Sequence, residues 1–207
     1  MKRWKKDEVY RKQARKAGFR SRAAFKLLEI DNRFEILRHA TRIIDICSAP
    51  GSWLQVVKER CKDPDTIIVG IDITYLRPIP GVHIIQSSIE SQELDAQLNE
   101  LFKKPAQVIL SDCSPKLSGS KSLDRERQLW LAQLSFNLAK RFLAEKGHFV
   151  TKVFQSDEFR NFIIDTKNHF LSVKTYKPQS SFKRSPEMYL IAKGFKGVTE
   201  PASQDVP

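Results

Sequence analysis

A chain of 207 residues is long enough for one domain with a buried core, and its 41% hydrophobic and 29% charged content excludes a fibrous or disordered polypeptide. Its 36 Lys and Arg against 24 Asp and Glu leave a net charge of +12, self-repulsive unless a polyanionic partner such as nucleic acid offsets it. The apolar runs are too short to span a membrane, the N-terminus lacks the apolar stretch of a signal peptide, and the four histidines are scattered without metal-ligand spacing, so neither membrane insertion nor a metal is expected.

The positive charge gathers at the start: residues 1–26 hold eleven Lys and Arg against Asp7 and Glu8. Residues 7–17 are polar and helix-forming, and Gly18 punctuates them. Ser21 is placed to cap a second helix running to Phe34, with Ala24, Leu27, Leu28 and Phe34 on one face and Lys26 projecting from it. Apolar runs then alternate with helical segments. Strands are predicted over 42–47, 66–73, 82–86, 107–112, 147–154, 170–176 and 187–192. Helices are predicted over 52–60, 91–102, 125–144 and 158–168, and 75–81 and 114–122 read as loops. The connection 177–186 has no room for a crossover helix, so the last two strands must be antiparallel. The pattern predicts a doubly wound, seven-stranded α/β fold, mainly parallel with one antiparallel strand. It forms a single domain over 1–194, with basic helices over 1–36 and a polar tail over 195–207.

The segment IIDICSAPGSWLQVV, residues 43–57, carries the most information. A strand containing Asp45 stops at a turn of small residues, and a helix opens at once, which makes a ligand cleft at the carboxyl edge of a parallel sheet. An ordinary strand-turn-helix would have the same outline. With Gly51 as its single glycine the turn satisfies neither GxGxxG nor GxxxxGK[ST], so a diphosphate cradle is not expected. A nucleoside with a charged amino-acid tail, S-adenosylmethionine, fits better. Asp72 ends the second strand about twenty residues further on, where an acid accepts from ribose hydroxyls. Asp112 ends the fourth strand, and the fifth carries Lys152 in apolar surroundings. Each acid alone reads as a solvated strand end, and Lys152 as the structural partner of Asp112. Three polar ends on one cleft point instead to a site, in which a desolvated lysine can act as a base. Cys47, Cys61 and Cys113 form no CxxC pair and no obvious framework. They read as buried thiols in a reducing, cytoplasmic setting.

Four segments in order resemble the FtsJ-type family of RNA ribose 2′-O-methyltransferases, a branch of the class I S-adenosylmethionine-dependent fold. They are RSRAAFKLLEID (20–31), DICSAPGSWLQ (45–55), SDCSPKLSG (111–119), and TKVFQ (151–155) with SPEMYLIA (185–192). The resemblance implies a catalytic tetrad of Lys26, Asp112, Lys152 and Glu187, with Lys152 accepting the 2′-hydroxyl proton. It implies cofactor positions at Gly51, Trp53, Asp72 and Asp112, with Asp45 facing the same pocket. One departure is Ser87-Ser88, where the family has a Gly-Asp pair near the adenine.

The basic start supplies candidate RNA contacts in Lys5, Lys6, Arg11, Lys12, Arg15, Arg20 and Arg22. Phe19 and Phe182 are candidates for stacking on bases, or for core packing. The implied substrate is a uridine of large-subunit (23S) ribosomal RNA within the ribosomal particle, modified by a monomer. A tRNA anticodon loop is the alternative. A non-catalytic ribosome-assembly protein is disfavoured by the intact tetrad, and a small-molecule enzyme by the charge.

Overall fold

The computed structural model describes residues 3–182 and 184–197, with side chains from Glu8 onward. Two helices, α1 (Arg3–Lys16) and α2 (Ala23–Phe34), come first. There follow β1 (Arg42–Ile46), α3 (Ser52–Arg60), β2 (Ile67–Asp72), β3 (His83–Gln86), α4 (Gln92–Leu101) and β4 (Ala106–Ser111). The chain continues with α5 (Lys121–Phe142), β5 (Leu143–Phe154), α6 (Phe159–His169), β6 (Phe170–Tyr176) and β7 (Glu187–Phe195). Among the described residues the strands form one seven-stranded sheet in the order β3-β2-β1-β4-β5-β7-β6. β7 is antiparallel to β5 and β6, and the other pairings are parallel. The order reverses between β1 and β4, which puts the switch point of the sheet at the turn after β1.

The period of two along each strand divides the core into two layers. Ile44, Val69, Ile109, Phe149 and Leu190 face one side, where Leu94 and Leu98 of α4, Ala132 and Phe136 of α5 and Phe162 of α6 cover them. Ile43, Ile68, Leu110, Val150 and Ile191 face the other, under Leu27 and Ile30 of α2 and Leu54 and Val57 of α3. Each fully buried side chain of this size contributes roughly 1.5–3 kcal/mol.

The α/β class and the antiparallel last strand agree with the sequence reading, and several boundaries move. Helix α5 starts at Lys121 rather than 125, because Asp124 already donates its backbone N–H to Ser120 O, 2.9 Å. Strand β5 starts at Leu143 rather than 147: Leu143 pairs with Ala106, and an irregularity near Lys146, φ 63°, restores the register at His148. Strand β7 continues to Phe195, a residue expected in the tail, which pairs with Phe170 and is buried. The N-cap of α2 is Arg22, without a side-chain cap bond, rather than Ser21, whose hydroxyl accepts from Ala23 N–H at 3.2 Å. Lys26 does not project into solvent but lies on the buried side of α2, at 7% exposure. The tail beyond Gly197 lies outside the described residues.

Candidate active site

Small residues let the turn after β1 fold back on the sheet. Ser48 N–H donates to Ile71 O at 3.1 Å and Gly51 N–H to Ser48 O at 2.6 Å, with a cis peptide at Ala49–Pro50. Gly51 opens α3 at φ 104°, which only glycine adopts without strain. Gly70 on β2 makes the close approach possible: a Cβ there would fall 2.6 Å from Leu54 Cδ1 and 2.9 Å from Ser48 Oγ. Asp72 braces the turn, its carboxylate accepting from Ala49 N–H at 2.9 Å and Thr74 N–H at 2.7 Å. Two accepted bonds leave that carboxylate with lone pairs for a ligand. Beneath the turn Asp45 is buried, and among the described residues neither its Oδ2 nor Ser48 Oγ has a hydrogen-bond partner. Burial, and then the charges of Asp112 and Asp72, push the Asp45 carboxyl well above the usual range.

Strand pairing assembles a second set of groups beside the turn. Ser111 on β4 is level with Thr151 on β5, so Asp112 and Lys152 come next to each other. Lys152, 4% exposed, donates from Nζ to Asp112 O at 2.7 Å and lies 3.1 Å from Asp112 Oδ1. Tyr189 sits directly opposite Lys152 across the β5–β7 pair and donates its hydroxyl to the same Oδ1 at 2.6 Å. From α2, Lys26 Nζ reaches Glu187 Oε1 at 2.7 Å, an oxygen that also accepts from Ser181 Oγ at 2.7 Å. Lys26 Nζ is 5.8 Å from the centre of the Tyr189 ring, so the tyrosine links the two ion pairs. Burial would raise Asp112, but the charges of Lys152 and Lys26 and the Tyr189 hydrogen bond outweigh it and hold the carboxyl below its usual range. Burial, followed by the charges of Asp112 and Glu187, pushes the Tyr189 phenol well up, so it stays a donor. Buried charges persist only when paired in this way.

A turn of small residues beside a buried Lys–Asp pair, on a doubly wound sheet closed by an antiparallel strand, is mirrored in known proteins. Residues 19–195 match the family described as FtsJ-like methyltransferase. The chain belongs to the FtsJ-like methyltransferase family. This methyltransferase is 40% identical over 191 residues to a ribosomal RNA large subunit methyltransferase E of Hahella chejuensis, with 92% of each chain covered. It is 41% identical over 199 residues to a ribosomal RNA large subunit methyltransferase E of Methanoculleus marisnigri, with 96% of each covered. A crystal structure from Plasmodium falciparum, assigned as a ribosomal RNA methyltransferase, superposes with a TM-score of 0.80 at 33% identity, covering 87% of this chain and 100% of the other.

In this methyltransferase Lys26, Asp112, Lys152 and Glu187 come together, and Asp45, Gly51 and Asp72 surround the turn. Trp53 lies in the first turn of α3, directly after the small-residue turn. Its indole is 3% exposed, packs 5.7 Å from Tyr189 and donates N–H to Ala23 O at 2.9 Å, so it supports the turn from the core. Arg20 lies between α1 and α2. Its guanidinium donates to the carbonyls of Pro50, Arg77 and Pro78 at 2.9, 2.7 and 2.9 Å, clamping the turn to the 75–81 loop. Arg22 lies 4.3 Å over the ring of Phe182, and Phe19 packs on Phe25. Lys12 pairs with Glu8 at 2.9 Å, Arg15 is exposed on α1, and the side chains of Lys5 and Lys6 lie outside the described residues. At the third strand Ser87 N–H donates to Asp72 O at 3.0 Å, and its hydroxyl donates to Ser88 O at 3.2 Å.

The cysteines require a correction: Cys47 and Cys113 form a disulfide. They follow adjacent parallel strands, which brings their Cα atoms to 5.0 Å although they stand 66 positions apart in the chain. Only Cys61 is a free, buried thiol, pushed up to about 11 by burial and then by the Asp31 charge.

Tyr189, Ser181 and Gln128 escaped the sequence reading. Gln128, fully buried on α5, donates its amide to Cys113 O at 3.1 Å and Lys152 O at 3.0 Å. A signal existed for two of them. Tyr189 is two residues past Glu187 and so on the same face of the strand. Gln128 is a polar residue one helical turn before Ala132 on the buried face. Among the described residues no group of three His, Cys, Asp or Glu could hold a metal, and no helix is long and apolar enough to cross a membrane.

Proposed function

We propose that this chain transfers a methyl group from S-adenosylmethionine to a ribose 2′-hydroxyl of large-subunit ribosomal RNA, at a uridine, with Lys152 accepting the proton. The observation that carries this reading is the buried Lys152, held by the carbonyl and carboxylate of Asp112 beside a small-residue turn at the switch point of the sheet. The relatives named as ribosomal RNA large subunit methyltransferases support the choice of RNA. The site suits the cofactor: Asp45 Oδ2 and Ser48 Oγ are unsatisfied beneath the turn, and Asp72 keeps lone pairs toward it. When bound, S-adenosylmethionine supplies a methyl group already activated by its sulfonium.

The chain's own residues then have to orient the ribose and take one proton. Lys152 is held by Asp112 on one side and can meet a hydroxyl with the rest of its amine. The Lys26–Glu187 pair fixes the opposite wall through α2 and β7. The four ionisable groups of the cluster sum to zero charge when both lysines are protonated. The proton that Lys152 accepts from the ribose returns the cluster to that balanced state. The basic α1 and the +12 net charge supply phosphate affinity without sequence information. We place the protein in the cytoplasm, on the strength of its RNA substrate rather than its cysteines.

The test is methyl transfer in vitro. Purified protein with labelled S-adenosylmethionine should methylate large subunits from a strain lacking the modification, at one ribose mapped to a uridine. Efficient labelling of unmodified tRNA with those subunits left unlabelled would replace this reading by the tRNA one.

A further inference from the structure

The connection between β4 and α5 is held more firmly than an exposed polar loop requires. At its base Cys113 is bonded to Cys47, and its carbonyl accepts from Gln128. At its far end Asp124 Oδ1 accepts from Ser118 N–H at 2.7 Å and Ser118 Oγ at 2.8 Å. Gly119 turns the chain into α5 at φ 90°. Lys116 and Leu117 lie between these two fixed ends and are exposed, Leu117 at 65%. An exposed leucine alone means little, but one held out by a loop fixed at both ends is preorganised.

The loop also stands in a particular place. Gln128, which touches the carbonyls of Cys113, just past the end of β4, and of Lys152 on β5, lies seven positions into α5 from Lys121. At 1.5 Å per residue the first turns of α5 therefore rise about 10 Å past the carboxyl edge of the sheet. Helix α5 covers one face of the sheet and α2 the other. The loop is thus a wall on the side of Lys152 and Asp112 away from Lys26.

We propose that Lys116 and Leu117 form an RNA contact on this wall: Leu117 packs on the face of an unpaired base next to the methylated ribose, and Lys116 pairs with that nucleotide's phosphate. The inference rests on the reading of the site as an RNA ribose methyltransferase. A nucleotide offers an apolar ring face and an anion side by side, and the two adjacent side chains match that pair. The contact tolerates any base, because every base has such a face.

Steady-state methylation of large subunits lacking the modification tests it. Leu117→Ser should raise KM for subunits about tenfold, the effect expected when an apolar contact of leucine size is removed. Its kcat and its affinity for S-adenosylmethionine should stay within about twofold of wild type, and Leu117→Met should restore KM. Lys116→Gln should reduce the log–log salt slope of subunit binding by about 0.7–1, the share of one phosphate. Unchanged KM in Leu117→Ser with an unchanged slope in Lys116→Gln overturns the contact. A fall in kcat or cofactor affinity at constant KM overturns it too, since the loop would then act through Asp112. If wild-type protein labels neither subunits nor tRNA, the underlying reading fails and this contact with it.

Discussion

Lys152 and Asp112 are tolerable inside the protein only together, because each offsets the desolvation of the other. In the proposed reaction Lys152 takes the substrate proton, and its amine is bonded to Asp112 rather than to the cofactor turn. Lys152→Ala should therefore lower kcat by about 10²–10⁴ while titration calorimetry finds S-adenosylmethionine binding nearly unchanged. A variant that keeps most of its single-turnover rate would show that another group takes the proton. Asp45 has the opposite electrostatics. Its carboxyl is pushed up on folding, so the folded state holds the proton more tightly than the unfolded chain, whose ordinary value is 3.8. Its contribution to stability is therefore present in acid and fades as pH rises through the folded value, by up to about 1.4 kcal/mol per pH unit. Asp45→Asn removes that loss. Urea unfolding at about pH 5 and about pH 8 should show the variant gaining on wild type at the higher pH. A pH-independent difference would mean that Asp45 ionises freely in the fold. At this scale Lys26, Asp112, Lys152 and Glu187 were legible as charged residues at element ends and in motifs. For Tyr189 the spacing from Glu187 gave the face but not the role, because a tyrosine within an apolar strand reads as core and its hydroxyl's target sits on another strand.

Between elements, the turn after β1 depends on a segment that precedes the sheet. Arg20 lies between α1 and α2, yet its guanidinium ties the turn after β1 to the loop after β2. Its backbone N–H also donates to Gln55 of α3 at 2.8 Å. Arg20→Ala should weaken S-adenosylmethionine binding by roughly tenfold, the value of about one charge-assisted hydrogen bond. The salt dependence of RNA binding should not change. The reverse outcome, intact cofactor affinity with a flatter salt slope, would assign Arg20 to the RNA grip. Sequence pattern could not separate these roles, since an arginine in a basic stretch carries the same charge whichever way it points. The starts of α5 and β5 were misplaced for a related reason. Their first residues are polar or interrupted by Lys146-Gly147, and bonds to Ser118, Ser120 and Ala106 decide them.

Over the whole molecule, the +12 charge predicts binding that weakens steeply with salt. Lys5, Lys6, Arg11, Lys12 and Arg15 lie along or at the start of α1, outside the sheet and its two core layers. Neutralising all five should flatten the log–log slope of binding to large-subunit RNA by up to about 0.7–0.9 for each phosphate no longer neutralised. The same slope in the multiple variant would place the RNA grip elsewhere on the surface. Lys12 already pairs with Glu8, but an exposed pair of this kind is weak and yields readily to a phosphate.

Local periodicity determined much of this protein without any structure. Alternating apolar runs and helical segments defined the doubly wound class, and the short 177–186 connection forced β6 and β7 to be antiparallel. The small-residue turn after β1 and the polar strand ends marked the cleft. What only the tertiary structure decided are the pairings between distant segments. Insertion of β7 between β5 and β6 sets Tyr189 opposite Lys152, and adjacency of β1 and β4 joins Cys47 to Cys113. Gln128 and Arg20 acquire their partners in the same way. A residue's type and spacing report the face it presents within its own element, whereas its partner depends on which strands become neighbours, and that is settled by packing the whole sheet.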